Sequence, residues 1–300
     1  VLGVKRTLVR DPNGWYLTMT MTSFIDDLVS TFRVELDNKF GKRTVSTPFP
    51  ENVILTKANT PSEGEVQRNI KRGYQRLVGS LLWCVRHVSP ISQYGMSQLC
   101  KLMSCPTDFA FDCALHLLKY LELHRTEGIR FSETDDLPFA TVDASNKDDP
   151  HDGLCQYGYS IHWGGPLISK SSKLSHVGIN SSYNEYMALT FCIKQIVWLR
   201  QLMNELGLWS YIAKPTMVLA DNRQANNLCM EDIVTNGNMY FRTNYHYNKE
   251  AVKDKYCTVH YLDTQHNPSD CHTKGLARVK IQTHKPFLHG YDKRIFDLPR

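Results

Sequence analysis

Four acidic residues stand where their side chains could meet in a folded chain. Asp143 and Asp221 each follow a short apolar run that is typical of a strand. Glu185 lies near the start of a long helical pattern, and Asp270 follows a turn-forming stretch. Side chains at the carboxyl ends of strands in α/β sheets commonly form ligand sites. Hydrolysis of a phosphodiester by two metal ions needs several oxygen ligands around one point, and carboxylates suit Mg²⁺ and Mn²⁺.

Each of these acidic residues also has a purely structural explanation. An Asp at the end of a strand is often a turn former or a helix N-cap, which applies to Asp143 and Asp221. Ser182 followed three residues later by Glu185 is a capping-box pattern. Asp270, after Asn-Pro-Ser, could cap a short helix. The ordered set of four on matching elements favours a shared metal site over four separate turns or caps.

The elements that must position these residues predict an α/β domain in the second half of the chain. Three strand patterns come first, then helix, strand, helix, helix and strand, which predicts a mixed sheet with an antiparallel start. The predicted strands are 139–142, 157–163, 167–169, 216–220 and 258–262, and the predicted helices are 182–206, 223–230 and 247–255. The polar segment 131–138 precedes them and predicts a domain boundary.

The first half has a different pattern. Two strands, 4–9 and 15–20, flank Asn13-Gly14, which is a strong turn signal. Helical spacing follows over 24–32, 66–87, 91–103 and 109–121. Up to Arg130 there are 17 basic and 12 acidic residues, a net charge of +5, whereas the remainder has 18 of each. The first half is therefore the better candidate for holding a phosphate backbone.

The nine cysteines include no Cys-x-x-Cys pair. Cys257 with His260, and Cys271 with His272, have the residue types of zinc ligands but not the spacing of a zinc module. Free thiols in a reducing compartment are the favoured interpretation. No apolar run approaches the roughly 18 residues of a membrane helix, so we expect no membrane partner.

Seven short motifs, in order between Tyr74 and Leu276, resemble the end of a copia-type retrotransposon polyprotein, from late reverse transcriptase through ribonuclease H. The set is specific because its members occur in the family's order. The motifs are Tyr74-Gln-Arg-Leu-Val-Gly-Ser-Leu-Leu-Trp83, Ile168-Ser-Lys-Ser-Ser-Lys173, Asn184-Glu-Tyr-Met-Ala-Leu189, Val197-Trp-Leu-Arg200, Leu206-Gly-Leu208, Asp221-Asn222 with Ala225, and Asn267-Pro-Ser-Asp270 with Thr273-Lys274.

The resemblance implies a fold and a division of the chain. The fold class is α/β, with a ribonuclease H-like mixed five-stranded sheet and flanking helices, preceded by a mostly helical region like a thumb or connection. Residues 1–130 would be the C-terminal part of a reverse transcriptase, with its last palm strands, and 137–278 the ribonuclease H-like domain. Residues 279–300 would be a C-terminal tail.

The resemblance also implies a function. The chain would be an endonuclease that hydrolyses the RNA strand of RNA–DNA hybrids, using two Mg²⁺ or Mn²⁺ ions per site. Its partners would be the hybrid and the upstream polymerase part of the same polyprotein, in a cytoplasmic virus-like particle or in the nucleus. Asp143, Glu185, Asp221 and Asp270 take the four metal-binding and catalytic places. The predicted nucleic-acid contacts are Ser171, Lys173, Asn222, Lys71, Arg72 and Arg76.

Two other functions remain open. One is an inactive nucleic-acid-binding or structural remnant of a retroelement polyprotein. The other is a transposase or integrase on the same general fold. In such enzymes the Glu of the acidic set lies on a late helix, whereas Glu185 directly follows the opening strands. The family's Lys-His-Ile-Asp stretch is replaced here by Met239-Tyr-Phe-Arg242, and Ala144-Ser145-Asn146 replaces its Ala-Asp-Trp.

Phe24-Ile-Asp-Asp27 resembles the Y-x-D-D box of a polymerase active site. That box requires a tight strand–turn–strand, whereas Phe24, Leu28 and Phe32 have helical spacing. We therefore predict that this segment is a helix and that the chain lacks its own polymerase active site. Leu2-Gly3-Val4 is similar to the family segment just after the true box, which would then lie upstream of residue 1.

Overall fold

The computed structural model describes residues 2–58, 61–146, 149–178, 180–230 and 242–292. Residues 239–241, in the stretch that differs from the family pattern, lie outside these ranges, as do 293–300 of the predicted tail. The strands form two sheets, one of three strands and one of five. Two large apolar cores accompany them, one in each half of the chain.

Where the structure describes it, the first half contains the three-stranded antiparallel sheet and six α-helices. The strands β1 and β2 form the predicted hairpin through a two-residue turn, and β3 pairs with β2. The strands are β1 Lys5–Asp11, β2 Gly14–Thr20 and β3 Ile129–Ser132. The helices are α1 Thr22–Thr31, α2 Arg33–Phe40, α3 Glu63–Lys71, α4 Tyr74–Val88, α5 Gln93–Cys100 and α6 Asp108–Leu123.

Two helix predictions for this half have clear outcomes. The segment around Phe24-Ile-Asp-Asp27 is helical, as predicted, because Ile25 and Leu28 face the core while Asp26 pairs with Arg125. The single helix predicted over 66–87 is wrong. Gly73 has a φ of 90°, a left-handed conformation that glycine adopts without a steric penalty, and it separates α3 from α4.

The second half contains the predicted mixed five-stranded sheet, in the order β6-β5-β4-β7-β8. Strand β4 is antiparallel to β5 and parallel to β7, β5 is antiparallel to β6, and β7 is parallel to β8. The elements are β4 Phe139–Ala144, β5 Gln156–His162, β6 Pro166–Lys173, α7 Ser181–Glu205, β7 Thr216–Ala220, α8 Arg223–Met230, α9 Arg242–Lys253 and β8 Cys257–Tyr261.

The long helix α7 packs on the sheet through the apolar face that its sequence predicts. Tyr186, Leu189, Ile193 and Ile196 are fully buried and fall at helical spacing. They pack in one cluster with the inward side chains of β4, β5 and β7. Burial of this apolar surface is the main contribution to the stability of the domain, and it fixes the start of α7 beside the carboxyl end of β4.

A C-terminal pair of helices completes the described chain. Helix α10, Asp270–Thr273, is followed by α11, Arg278–Leu288, which occupies much of the predicted tail. Ile281 and Leu288 of α11 are buried in a small cluster with Ile91 and Tyr120 of the first half, and Phe139 of β4 packs against the same cluster. The segment is therefore packed against both halves.

Polar contacts also join the two halves. The carboxylate of Asp149 accepts a hydrogen bond from Thr56 Oγ1 at 2.7 Å and lies 3.1 Å from Lys101 Nζ. Gln156 Nε2 donates to Ser97 Oγ at 2.7 Å. Among the described residues, no helix is both long enough and apolar enough to cross a membrane. All nine cysteines are free thiols.

Candidate active site

Asp143 and Asp221 lie side by side at the carboxyl ends of two neighbouring parallel strands. Val142 of β4 is in register with Ala220 of β7, so the residues that follow them are adjacent. Asp143 is fully buried, whereas Asp221 is partly exposed. Thr273 Oγ1 donates a hydrogen bond to Asp143, and Thr264 Oγ1 donates one to Asp221. The adjacency follows from the parallel pairing that the sequence order predicts.

Asp270 reaches the same point from the start of α10. The preceding loop is docked on β4, because Asn267 Nδ2 donates to the carbonyl of Val142 at 2.9 Å. Within the loop, Ser269 N donates to Asn267 Oδ1 at 3.1 Å, and Ser269 Oγ is 2.7 Å from Thr141 Oγ1. These polar groups are buried and satisfied, so they hold Asp270 beside β4.

Asp143, Asp221 and Asp270 converge. Each offers one carboxylate oxygen, and the three oxygens lie within 4.8 Å of one another. Two ligands of one Mg²⁺, each bound at about 2.1 Å, can be at most about 4.2 Å apart. The three oxygens could therefore bind one ion after moving slightly closer together, or they could bridge two ions roughly 4 Å apart.

Glu185 lies next to this group but does not belong to the set of three mutually close oxygens. Its side chain is buried and accepts a hydrogen bond from the backbone N–H of Ala144 at 3.1 Å. From the sequence we predict one metal site shared by all four acidic residues. The structure brings carboxylate oxygens of Asp143, Asp221 and Asp270 together and places Glu185 at their side.

The capping-box interpretation of Glu185 is wrong. The N-cap of α7 is Asn180, whose side chain accepts from Tyr183 N at 2.8 Å. Ser182 lies inside the helix and donates instead to Gln224 Oε1 at 2.7 Å. Glu185 is therefore beyond the reach of the cap, and its carboxylate faces the end of β4.

The site is short of positive charge. Burial raises the pKa of Asp143 and that of Glu185 well above their ordinary values, and the neighbouring acidic side chains raise both further. Lys274 opposes these shifts. Burial alone would lower the pKa of Lys274, but the charges of Asp143 and Asp270 outweigh it and raise that pKa. Carboxylates held together at such a cost are typical of functional sites.

Two lysines contact Asp270. Lys274 Nζ is 2.8 Å from Oδ1 and Lys280 Nζ is 3.1 Å from Oδ2. Lys274 belongs to a motif quoted above and lies one helical turn after Asp270, so spacing could have indicated this pair. Lys280 comes from α11, ten residues beyond Asp270, and no sequence pattern indicates its contact.

The residues predicted to contact nucleic acid fall into two groups. Lys71 and Arg76 are exposed on the first half. The other four make contacts within the protein. Ser171 Oγ donates to the carbonyl of His272, and Asn222 Oδ1 accepts from Ala225 N at 3.0 Å. Lys173 pairs with Asp149 at 2.8 Å and with Asp152 at 2.6 Å, and the guanidinium of Arg72 lies 3.9 Å from the ring centroid of Phe111.

The chain matches no family model. It is 25% identical over 290 residues, 96% of its length, to the retrovirus-related Pol polyprotein from transposon TNT 1-94 of Nicotiana tabacum, and it covers 21% of that protein. It is 28% identical over 280 residues, 91% of its length, to that from transposon RE2 of Arabidopsis thaliana, and it covers 18% of it. The chain thus spans about a fifth of these relatives.

Two solved structures are similar at low identity. LC11-RNase H1 in complex with RNA/DNA hybrid has a TM-score of 0.35 and 12% identity, over 45% of this chain and 93% of that one. The foamy viral protease-reverse transcriptase in complex with RNA/DNA hybrid has a TM-score of 0.38 and 13% identity, over 86% of this chain and 29% of that one. The resemblance drawn from the motifs is confirmed by the two transposon relatives: over nearly all of its length, the chain is similar to the Pol polyproteins of copia-type plant transposons.

Proposed function

We propose that residues 137–278 act as a metal-dependent ribonuclease H that hydrolyses the RNA strand of RNA–DNA hybrids within a retrotransposon reverse transcriptase. The observation that carries this proposal is the convergence of Asp143, Asp221 and Asp270 at the end of the sheet, with Glu185 beside them. The mixed strand order and the similarity to transposon Pol polyproteins support it as well.

The donor set fits Mg²⁺ or Mn²⁺. The converging ligands are carboxylate oxygens, and among the described residues no His or Cys side chain joins their group. Hard divalent cations prefer oxygen ligands, whereas zinc sites usually include nitrogen or sulfur. Two such ions, when bound, would activate the attacking water and stabilise the leaving oxygen.

The position of each residue indicates the role that it would have in this reaction. Asp143 is at the centre and is fixed by its hydrogen bond from Thr273. Asp221, the more exposed carboxylate, would be the one most accessible to a hybrid. Glu185 is oriented toward the others by Ala144 N. Lys71 and Arg76, exposed on the first half, would contact the phosphates of the hybrid.

Asp26 and Asp27 do not supply a second catalytic centre, because they lie on the helix α1 and Asp26 pairs with Arg125. The proposed protein partner is the upstream polymerase part of the same polyprotein. We expect no template-directed primer extension by the 300-residue chain alone, and observed extension would contradict this assignment.

The alternative is a nucleic-acid-binding remnant without activity. One observation favours it: both oxygens of Asp270 are paired with lysines, which reduces the charge available to a metal. The buried and satisfied hydrogen bonds that hold Asp270 in place favour the active enzyme instead.

The test is cleavage of a labelled RNA annealed to DNA, with Mg²⁺, with Mn²⁺ and with EDTA. We expect metal-dependent cuts in the hybrid and none in single-stranded RNA or double-stranded DNA. Asp143→Asn should abolish the cuts without preventing hybrid binding. Binding without cleavage by the wild-type chain in both metals would instead support the inactive remnant.

A further inference from the structure

Asp270 has both carboxylate oxygens occupied by lysines. Lys274 Nζ is 2.8 Å from Oδ1, and Lys280 Nζ is 3.1 Å from Oδ2. The carboxylate is almost completely buried, with its side chain 1% exposed, whereas the side chain of Lys280 is 44% exposed. One partner of this ion pair is therefore fixed, and the other can withdraw toward water.

Lys280 is brought to the site by α11 and not by the sheet. Ile281, the next residue, is buried, and Phe287 and Leu288 anchor the end of the same helix. The helix therefore presents Lys280 to Asp270 in the folded protein. Lys274 is placed differently, one turn after Asp270, and its ammonium also lies 3.7 Å from Asp143 Oδ2.

We propose that Lys280 is a positioning residue that holds Asp270 while divalent metal is absent and competes with metal for it. The proposal rests on the proposed metal site. A unit positive charge a few ångströms from a bound dication is repelled, and a lysine paired with a ligand oxygen must release it before the metal can use it. The contact therefore keeps Asp270 in place, and it weakens the affinity of the carboxylates for metal.

A structural role alone would have the opposite consequence. If Lys280 only braced α11 or Asp270, its loss would loosen the site, and metal would bind more weakly or equally well. If Lys280 competes with metal, its loss leaves a more negative site, and metal binds more tightly. The sign of the change in metal affinity therefore separates the two roles.

The experiment is calorimetric titration of Mn²⁺ into the 300-residue chain, with the wild type, Lys280→Gln and two matched variants. We expect Lys280→Gln to lower the Kd for Mn²⁺ by about three- to tenfold, in keeping with the loss of one nearby like charge. Lys280→Arg retains the charge and should stay within about twofold of the wild type. Arg278→Gln removes an exposed charge from the same helix, and among the described residues Arg278 forms no ion pair, so we also expect a change below about twofold.

Melting curves in EDTA and in Mn²⁺ give a second measurement. In EDTA, Lys280→Gln should melt at a somewhat lower temperature than the wild type, because Asp270 loses a partner. Adding Mn²⁺ should raise the melting temperature of Lys280→Gln by more than it raises that of the wild type. An unchanged or raised Kd in Lys280→Gln would overturn the proposal, as would an equal effect of Arg278→Gln. Absence of Mn²⁺ binding by the wild-type chain would overturn the metal site itself, which distinguishes the two failures.

Discussion

At the scale of single residues, the buried carboxylates of the candidate site destabilise the metal-free fold when they are charged. Asp143 and Glu185 are buried beside other acidic groups, and the pKa of each is raised above its ordinary value by burial and then by those neighbours. An acid with a raised folded-state pKa binds its proton more tightly when folded. The fold therefore loses stability as pH rises from about 4, the ordinary carboxyl pKa, through the raised value.

The first prediction follows for Glu185→Gln. In EDTA at neutral pH this variant should melt higher than the wild type, by about 2–4 °C for each kcal/mol of relieved repulsion and desolvation. The advantage should shrink toward pH 4, where the wild-type carboxyl is protonated. Cleavage of a labelled hybrid with Mg²⁺ should fall by a factor of several hundred, corresponding to roughly 3–4 kcal/mol of lost transition-state stabilisation.

Glu205→Gln provides the control, because Glu205 lies on the same helix but is exposed at its far end. We expect this variant to cleave the hybrid at the wild-type rate. A Glu185→Gln protein that melts lower in EDTA and cleaves normally would show that Glu185 supports the fold and has no part in the chemistry.

At the scale of elements, the position of Asp270 depends on how closely α10 approaches the sheet. Gly158 of β5 is paired with Asp143 of β4. A Cβ built on Gly158 would lie 2.3 Å from Cβ of His272 and 3.1 Å from the carbonyl oxygen of Lys170. A side chain at this position would have to push α10 away from the sheet, since backbone surrounds it on both sides.

The second prediction is that Gly158→Ala destabilises the fold by about 1–3 kcal/mol, as overpacking of a core does, and also weakens Mn²⁺ binding, because Asp270 moves with α10. Urea unfolding and calorimetric titration would measure the two effects. Gly79→Ala is the control: Gly79 is in the exposed face of α4 with no atom within 4 Å of an added Cβ. The Gly79→Ala variant should be more stable than the wild type by up to about 1 kcal/mol, because Ala has the higher helix propensity. A Gly158→Ala protein as stable as the wild type would contradict the close approach.

Much at this scale could be predicted from the sequence, for physical reasons. The strands β4 and β7 are apolar runs ended by Asp143 and Asp221, and α7 has a strong helical spacing of apolar residues, so local patterns suffice. The mixed five-stranded sheet follows from the order of those elements.

Other features depend on contacts that are distant in sequence. The choice of Asn180 over Ser182 as N-cap depends on where α7 meets its neighbours, including Gln224. The strand β3 is only four residues long and is stabilised by pairing with β2, which lies more than a hundred residues earlier in the sequence. The contact between Lys280 and Asp270 exists only because α11 packs against both halves. No local pattern encodes such contacts.

At the scale of the whole molecule, a buried ionic group joins the first half to the second. Asp149, with its side chain 3% exposed, lies 3.1 Å from Lys101 and 2.8 Å from Lys173, and it accepts a hydrogen bond from Thr56. Burial alone would raise the pKa of Asp149, but the hydrogen bonds from Lys173 and Thr56 outweigh it and hold that pKa well below its usual range.

The third prediction is that Asp149→Asn destabilises the protein by about 3 kcal/mol at pH 7, because two lysines lose a buried partner. A depressed folded-state pKa contributes stability above the ordinary Asp value and loses it as pH falls. The difference in the free energy of unfolding between Asp149→Asn and the wild type should therefore become smaller below about pH 4. Urea unfolding at several pH values measures it. Asp152→Asn removes the charge of a side chain that is 35% exposed and pairs with Lys173, and an Asn can still accept the hydrogen bond from Leu154 N. This variant should cost less than about 1 kcal/mol. Equal losses for the two variants would contradict this account of the junction.

The central claim is that Asp143, Glu185, Asp221 and Asp270 form a site for divalent metal. Anomalous X-ray scattering from crystals of the wild-type chain grown with Mn²⁺ tests it most directly. We predict strong peaks among these four side chains, with carboxylate oxygens at about 2 Å and, where two ions are bound, a separation of roughly 4 Å. Crystals with saturating Mn²⁺ and no anomalous peak at this group, or peaks only elsewhere on the surface, would contradict the account.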